Sequence, residues 1–274
     1  MFQSPGNVFI EIFNFPIYYY SICLALAILS GCWVSCQFTK KYYPYLDADA
    51  FFDTLLYIVG FAIVFSRIYY VVVDWGYYSN HLSEIFMVWK GGLTIHGAIL
   101  GGAIGGFVRT LMDKRLDFLS YADVTPWGIL VGQIIGRWGN FFNSEAFGLP
   151  TDLPWKLYIA PQFRPEGYEN FAYFHPTFLY ESIWNIFVFL ILFFVFRKLM
   201  KNIRGGVLFV YLIFYSVGRI LIESIRTDTI AFVHGIPVPT LVSAFTILIA
   251  ICGIIYSWVN REKITQFDAR KITK

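Results

Sequence analysis

Charged side chains are scarce in this sequence: Asp, Glu, Lys and Arg make up 14% of the 274 residues, against 57% hydrophobic and 20% aromatic. So little polar surface cannot cover a soluble globule of this length, which excludes that class and leaves an integral membrane protein. The formal net charge is only +3, and no basic patch interleaved with aromatics occurs, so no nucleic-acid partner is expected. Cysteine is equally sparse. Cys23, Cys32, Cys36 and Cys252 all lie in apolar runs, with neither ligand spacing nor a nearby histidine, so they read as inert buried thiols; no metal site and no cofactor are expected. The first sixteen residues contain no lysine or arginine, so the positive region of a cleavable signal peptide is missing and the first apolar run is expected to remain as a span. No internal repeat or low-complexity segment is visible.

What is abundant is apolar sequence in long runs. Runs of about 17 to 23 residues, enough to cross a hydrocarbon core of about 30 Å, fall at roughly 17–38, 50–73, 93–110, 121–138, 177–196, 205–224 and 238–259. They predict an all-α membrane protein of seven transmembrane helices, forming a single domain over 1–274. Asp123, Pro126 and Gln133 interrupt the fourth run and make its boundaries the least defined. Between about Asn140 and His175 the chain is rich in Pro, Gly, Trp and Tyr, with Pro150, Pro154, Pro161 and Pro165 preventing a long helix, and a small lobe is expected there.

Basic residues fix an orientation. Lys40 and Lys41 follow the first run, Arg109, Lys114 and Arg115 the third, Arg197, Lys198, Lys201 and Arg204 the fifth, and Arg261, Lys263, Arg270, Lys271 and Lys274 the seventh. The other set of connections carries only Lys90, Lys156 and Arg164. By the positive-inside rule the N-terminus is expected outside and the C-terminus in the cytoplasm, with the 140–175 lobe on the outer face.

Several polar residues interrupt this apolar background. Arginine at bilayer depth costs a few kcal/mol even on lenient scales, so Arg67, Arg137 and Arg219 are functional candidates. With depth taken as about 1.5 Å per residue along each helix, Tyr20, Arg67, His96, Arg137, Asn140, Tyr215, Arg219 and Glu223 all fall in the outer leaflet. Blander readings stand beside this one. Arg137 could be snorkelling to the headgroups, and Arg219 could simply pair with Glu223 one turn on. The glycines at 97, 101 and 105 could serve only to let another helix approach, and His96 could be a packing residue. An anion transporter would need polar residues through the full depth of the bundle, but the inner halves of the first, fifth and seventh runs are almost wholly apolar. A retinal protein would need a lysine in the last run, and none occurs between Pro239 and Asn260.

Between Gly136 and Gly148 the sequence reads GRWGNFFNSEAFG, with Gly136, Arg137, Gly139, Asn140, Phe141, Asn143, Glu145 and Gly148 at fixed spacing. This stretch resembles the signature of prolipoprotein diacylglyceryl transferases. The resemblance extends to Tyr20, to His96-Gly97 (with Ala98 where a second glycine is common), and to FHPTFLYE with His175, Tyr180 and Glu181 (with Phe178 where glutamine is usual). It extends also to Tyr215, Arg219 and Glu223, four residues apart.

The resemblance implies a multi-pass enzyme of the bacterial inner membrane that moves the diacylglyceryl group of phosphatidylglycerol onto the lipobox cysteine of a prolipoprotein. Its partners are then phosphatidylglycerol, the lipobox peptide and membrane lipids. The chemistry of that reaction gives the residues expected roles. His96 would take the proton from the substrate thiol, whose reference pKa is about 8.5. Arg137 and Arg219 would clamp the phosphate, with Glu145 and Glu223 holding the arginines or the glycerol head. Asn140 would donate a neutral hydrogen bond, and Tyr20, Arg67, Gly148, Tyr215, His175 and Glu181 would complete the substrate-binding set.

Overall fold

The computed structural model describes residues 2–13, 15–88, 91–114, 116–228 and 232–260. Lys90, Arg115 and the polar tail from Arg261 to Lys274, three of the places used to set the orientation, lie outside the described residues. The chain divides into two compact units, residues 36–121 and residues 1–35 with 122–274.

The contiguous unit is built on two long helices, α2 (Ala48–Val73) and α3 (Ile95–Met112); α1 (Tyr19–Tyr42) ends within it. Asp47 starts α2 by accepting from the backbone N–H groups of Asp49 and Ala50, at 2.9 and 3.2 Å. This satisfies two donors that a helix start leaves without partners. The glycine stripe of α3 packs directly on α2. A Cβ at Gly97, Gly101 or Gly105 would come within 2.4, 2.3 and 2.5 Å of the carbonyl oxygens of Phe65, Phe61 and Tyr57. Both series step by four residues, so the two backbones touch along a shared seam, as small residues permit in a membrane. A polar clasp closes one end of this seam: Ser66 Oγ donates to the Thr94 carbonyl at 2.7 Å, and Thr94 Oγ1 donates to the Ser66 carbonyl at 3.2 Å.

The second unit contains most of α1 and the helices α4 (Thr125–Asn143), α5 (Thr177–Ile191), α6 (Gly206–Glu223) and α7 (Val238–Val259). A π turn at Leu192–Phe196 and a last turn at Arg197–Leu199 extend α5. Glycine again sets the closest crossing, since a Cβ on Gly128 of α4 would lie 2.3 Å from the Gly31 carbonyl of α1. The start of α6 is capped from a distance: the buried Asp123 carboxylate accepts from the N–H groups of Gly205, Val207 and Leu208 at 2.8, 2.8 and 3.0 Å. Its negative charge lies at the positive end of the helix dipole, so Asp123, which looked like an interruption of a span, is a structural cap.

The lobe between α4 and α5 carries the strands β4 (Leu157–Tyr158) and β5 (Tyr173–Phe174). The first residues of the chain join them as β1 (Phe2–Gln3), giving a sheet of order β1–β4–β5. Phe141, Phe147, Leu157, Ile159, Phe174 and Phe178 form its apolar core, which ties the end of α4 to the start of α5. A separate antiparallel hairpin, β2 (Val8–Ile12) with β3 (Phe15–Tyr18), precedes α1. These strands were not part of the all-α expectation; they are too short to register against runs of membrane-spanning length.

Six of the helices, α1, α2, α3, α5 with its extension, α6 and α7, are long and apolar enough to cross a membrane. The predicted fourth run is also helical, but it is displaced to Thr125–Asn143 and its glycines and polar residues leave it less apolar than the others. No disulfide joins the cysteines. Rather than being buried, Cys23, Cys32 and Cys36 are half-buried and Cys252 is exposed, because the helices turn these faces away from their protein neighbours.

Candidate active site

Three backbone segments converge at the end of the signature stretch. The Gly148 N–H donates to the His175 carbonyl at 2.9 Å, His175 N–H to Leu149 at 3.0 Å, and Leu149 N–H to Ile225 at 2.8 Å. The 147–150 segment is therefore held between the start of α5 and the chain leaving α6. A Cβ at Gly148 would lie 2.8 Å from the Ile225 carbonyl and 2.9 Å from His175 Cβ, which is why glycine stands there. Thr177 Oγ1 donates to the Ala146 carbonyl, and Thr227 Oγ1 to that of Phe147 at 3.1 Å, which tightens the same junction.

This framework brings together Arg137 from the last turns of α4, Glu181 from α5, Arg219 and Glu223 from α6, and Arg226 and Asp228 just beyond α6. Glu181 is the hub, with its side chain only 7% exposed. Its Oε2 pairs with Arg137 Nε; its Oε1 lies 3.2 Å from Arg226 Nη1 and 3.7 Å from Arg219 Nη1. Arg219 Nη2 is 2.6 Å from Glu223 Oε2. Arg226 grips Asp228 with two donors, Nε at 2.8 Å and Nη2 at 2.5 Å. Burying a lone carboxylate costs several kcal/mol, and the interlocking pairs offset that cost for Glu181 and Glu223. Burial alone would lower the Arg226 pKa, but hydrogen bonding and charge from Asp228, with the charges of Glu181 and Glu223, outweigh it and raise the value above that of an ordinary arginine.

The pairing leaves specific donors uncommitted. Arg137 is held side-on through Nε, and among the described residues its Nη1 and Nη2 have no partner. Arg219 Nη1 is buried without a hydrogen bond. Both guanidiniums thus retain N–H groups of the kind that bind phosphate, the Arg137 edge at a partly exposed side chain and the Arg219 Nη1 buried beside Glu181.

Glu145 holds amides instead of an arginine. It accepts from Asn140 Nδ2 at 2.9 Å and from Asn143 Nδ2 at 3.3 Å, at an exposed position. It lies in a turn that leaves α4 through left-handed Ser144 (φ 54°) and Ala146 (φ 55°), conformations unusual for residues with a Cβ. The exposed Tyr20 ring, at the start of α1, covers Gly139 of α4, where a Cβ would meet it at 2.7 Å. Tyr215 packs on Tyr211, with ring centroids 5.9 Å apart. His175 Nδ1 lies 3.0 Å from the Tyr180 hydroxyl, which accepts from Trp155 Nε1 at 2.9 Å; burial lowers the pKa of this histidine.

Two expected site residues belong to the unit of residues 36–121. Arg67 is buried and directs its donors to backbone: Nε to Ile85 at 2.8 Å, Nη1 to Gly91 and Gly92 at 2.8 and 3.0 Å, and Nη2 to Glu84 at 2.6 Å. It also lies against the Tyr78 ring, 5.2 Å from its centroid. His96, in the first turn of α3, is exposed, and its ring stacks on Tyr69 with centroids 5.9 Å apart.

Comparison with known proteins decides the family. The family profile described as prolipoprotein diacylglyceryl transferase matches residues 7–256. The chain belongs to this family. Among its relatives, a phosphatidylglycerol–prolipoprotein diacylglyceryl transferase of Thermosynechococcus vestitus is 43% identical, over 84% of this chain and 84% of its own length. Those of Acaryochloris marina and Synechocystis sp. are 41% and 40% identical; they cover 96% and 100% of this chain and 95% and 96% of their own lengths.

Against the family signature in the sequence, two residues were given no role: Arg226 and Asp228. Arg226 stands three residues after Glu223 in the same stretch, and that spacing was the available signal. Its partner Glu181 lies 45 residues earlier in the chain and gave no hint of it. Among the described residues, no three His, Cys, Asp or Glu side chains are grouped as a metal ion would require.

Proposed function

We propose that this transferase-family chain moves the diacylglyceryl group of phosphatidylglycerol to the thiol of a prolipoprotein lipobox cysteine, the first step of lipoprotein maturation. The sulfur forms a bond to the glyceryl carbon, the bond from that carbon to the phosphate oxygen breaks, and glycerol phosphate leaves with the electron pair. The thiol proton goes to a base, for which His96 is our candidate, since imidazole is suited to proton transfer near neutral pH. The uncommitted Nη edge of Arg137 is the observation that carries the reading: it and Arg219 bind the phosphate and stabilise the charge that grows on it as the carbon–oxygen bond breaks. Glu181 and Glu223 hold the two arginines in place. Glu145 with Asn140 offers hydrogen bonds to the glycerol head, and Tyr20, Tyr215, Gly148 and His175 shape the surrounding pocket, while Arg67 supports substrate binding by ordering the loop it holds. No cofactor enters the reaction.

In this reading α4 is the seventh span, and the chain forms one domain with its lobe and reactive cluster on the outer face of the bacterial inner membrane. The N-terminus is outside and the C-terminus cytoplasmic. Purified protein is incubated with phosphatidylglycerol and a lipobox peptide, and the peptide is weighed. A gain equal to one diacylglyceryl group, lost when the peptide cysteine is replaced by serine, is the expected result. An unmodified peptide with correctly folded protein overturns the assignment.

A further inference from the structure

We propose that Arg226, anchored by Asp228, is a positioning residue that acts through Glu181 to present Arg137 and Arg219 to the phosphate; this rests on the transferase reading above. The Glu181 carboxylate faces three guanidiniums but has only two oxygens. Its Oε2 is taken by Arg137 Nε. Its Oε1 lies within hydrogen-bonding distance of Arg226 at 3.2 Å and beyond it from Arg219 at 3.7 Å, and Arg219 Nη1 remains buried without a hydrogen bond. Arg226 therefore keeps Glu181 from closing on Arg219. It also fixes the carboxylate in the attitude that grips Arg137 by its side and leaves the Nη1–Nη2 edge uncovered.

Arg226 can do this because it is itself immobilised. Asp228 takes two of its donors, a planar two-point contact that sets the direction of the guanidinium as well as its place. The backbone beneath it is pinned by the bridge between Gly148 and Arg226 and by the bond from Leu149 to Ile225. The Asp228 and Arg226 charges compensate one another, so the pair orients Glu181 without leaving a net positive charge beside it. Removing Arg226 frees Oε1 to bind Arg219 Nη1. One phosphate ligand is then consumed and the hold on the other loosens.

The test is a double-mutant cycle on transfer to a lipobox peptide, with kcat and KM for phosphatidylglycerol measured on protein shown to be folded. Arg226→Gln is expected to lower kcat/KM at least tenfold, chiefly through a higher KM, in the parent background. In the Glu181→Gln background, where no carboxylate remains to be oriented, it is expected to lower it less than threefold. Arg226→Lys, which supplies charge but not the two-point contact, is expected to fall between parent and Arg226→Gln. Losses that multiply independently in the two backgrounds, or that vanish when rates are corrected for the folded fraction, overturn the proposal and leave Arg226 a structural residue. If Arg226→Gln does not fold, Asp228→Asn, at a side chain 45% exposed, takes its place in the cycle with the same criteria. A folded parent that transfers nothing overturns the reading on which the proposal rests, and the proposal with it; a parent that transfers while the losses stay independent overturns the proposal alone.

Discussion

Arg67 on α2 and Arg137 on α4 are both arginines within long helices, yet their surroundings commit their donors differently. Arg67 directs four N–H bonds to the backbone carbonyls of residues 84, 85, 91 and 92, so its fork organises a loop. Arg137 gives one donor to a carboxylate and keeps its terminal edge without a partner among the described residues. The difference teaches that an arginine's place within a helix does not by itself show what it holds. What shows it is which donors are spent, and on what.

The strongest way to break this comparison is to replace each arginine and read both activity and stability. Arg137→Lys keeps the charge but not the planar edge. We expect transfer to fall about a hundredfold, close to 2.7 kcal/mol on the barrier, with the melting temperature nearly unchanged. Full activity in a folded lysine variant would remove Arg137 from the phosphate. Arg67→Gln should do the opposite. Leaving the part-buried carbonyls of residues 84, 85, 91 and 92 without donors lowers stability by about 2 kcal/mol, while the rate per folded molecule changes by less than about tenfold, under 1.4 kcal/mol. A stable Arg67→Gln protein with a sharply raised KM would instead give this arginine a direct place on the substrate.

The smallest effect concerns His175, beside the hub rather than in it. Its folded pKa lies below the ordinary histidine value because burial disfavours the charged ring. Between those two values the unfolded chain binds the proton and the folded one does not, so stability falls as the pH drops below about 6.5 and levels off beneath the folded value. A pH series of melting temperatures should show His175→Gln losing less stability than the parent over that window, by under about 1 kcal/mol because the ring is only half-buried. Parallel curves would show that the histidine does not contribute.

Much of the candidate site was legible because its residues repeat along single helices. GRWGNFFNSEAFG displays its spacing directly, and the stretch with Tyr215, Arg219 and Glu223 announces one helical face; the Arg219–Glu223 pair follows from four-residue spacing alone. The glycine seam was legible for the same reason, although its partner helix was not. Arg67 could not be read in this way. Every residue has a carbonyl, so a site made of carbonyl acceptors leaves no signature in residue types, and only the path of the loop reveals it. Arg226 escaped for a different reason, since its meaning depends on Glu181, 45 residues away on another helix. Glu145 was legible as a polar residue but not as a partner of Asn140 and Asn143, because that choice follows from the turn through Ser144.

The close crossing at Gly31 and Gly128 has a consequence in time. The unit of residues 36–121 is one uninterrupted stretch, so α2 and α3 can meet along their seam as soon as both have left the ribosome. The other unit is split: α1 is made early, but the helix that fits against Gly31 begins at Thr125. At about 5–20 residues per second, translation of the intervening segment lasts roughly 4–17 s. During that interval α1 waits in the membrane with its glycine notch unfilled, and the arginine cluster can form only after the last of its helices has been synthesised.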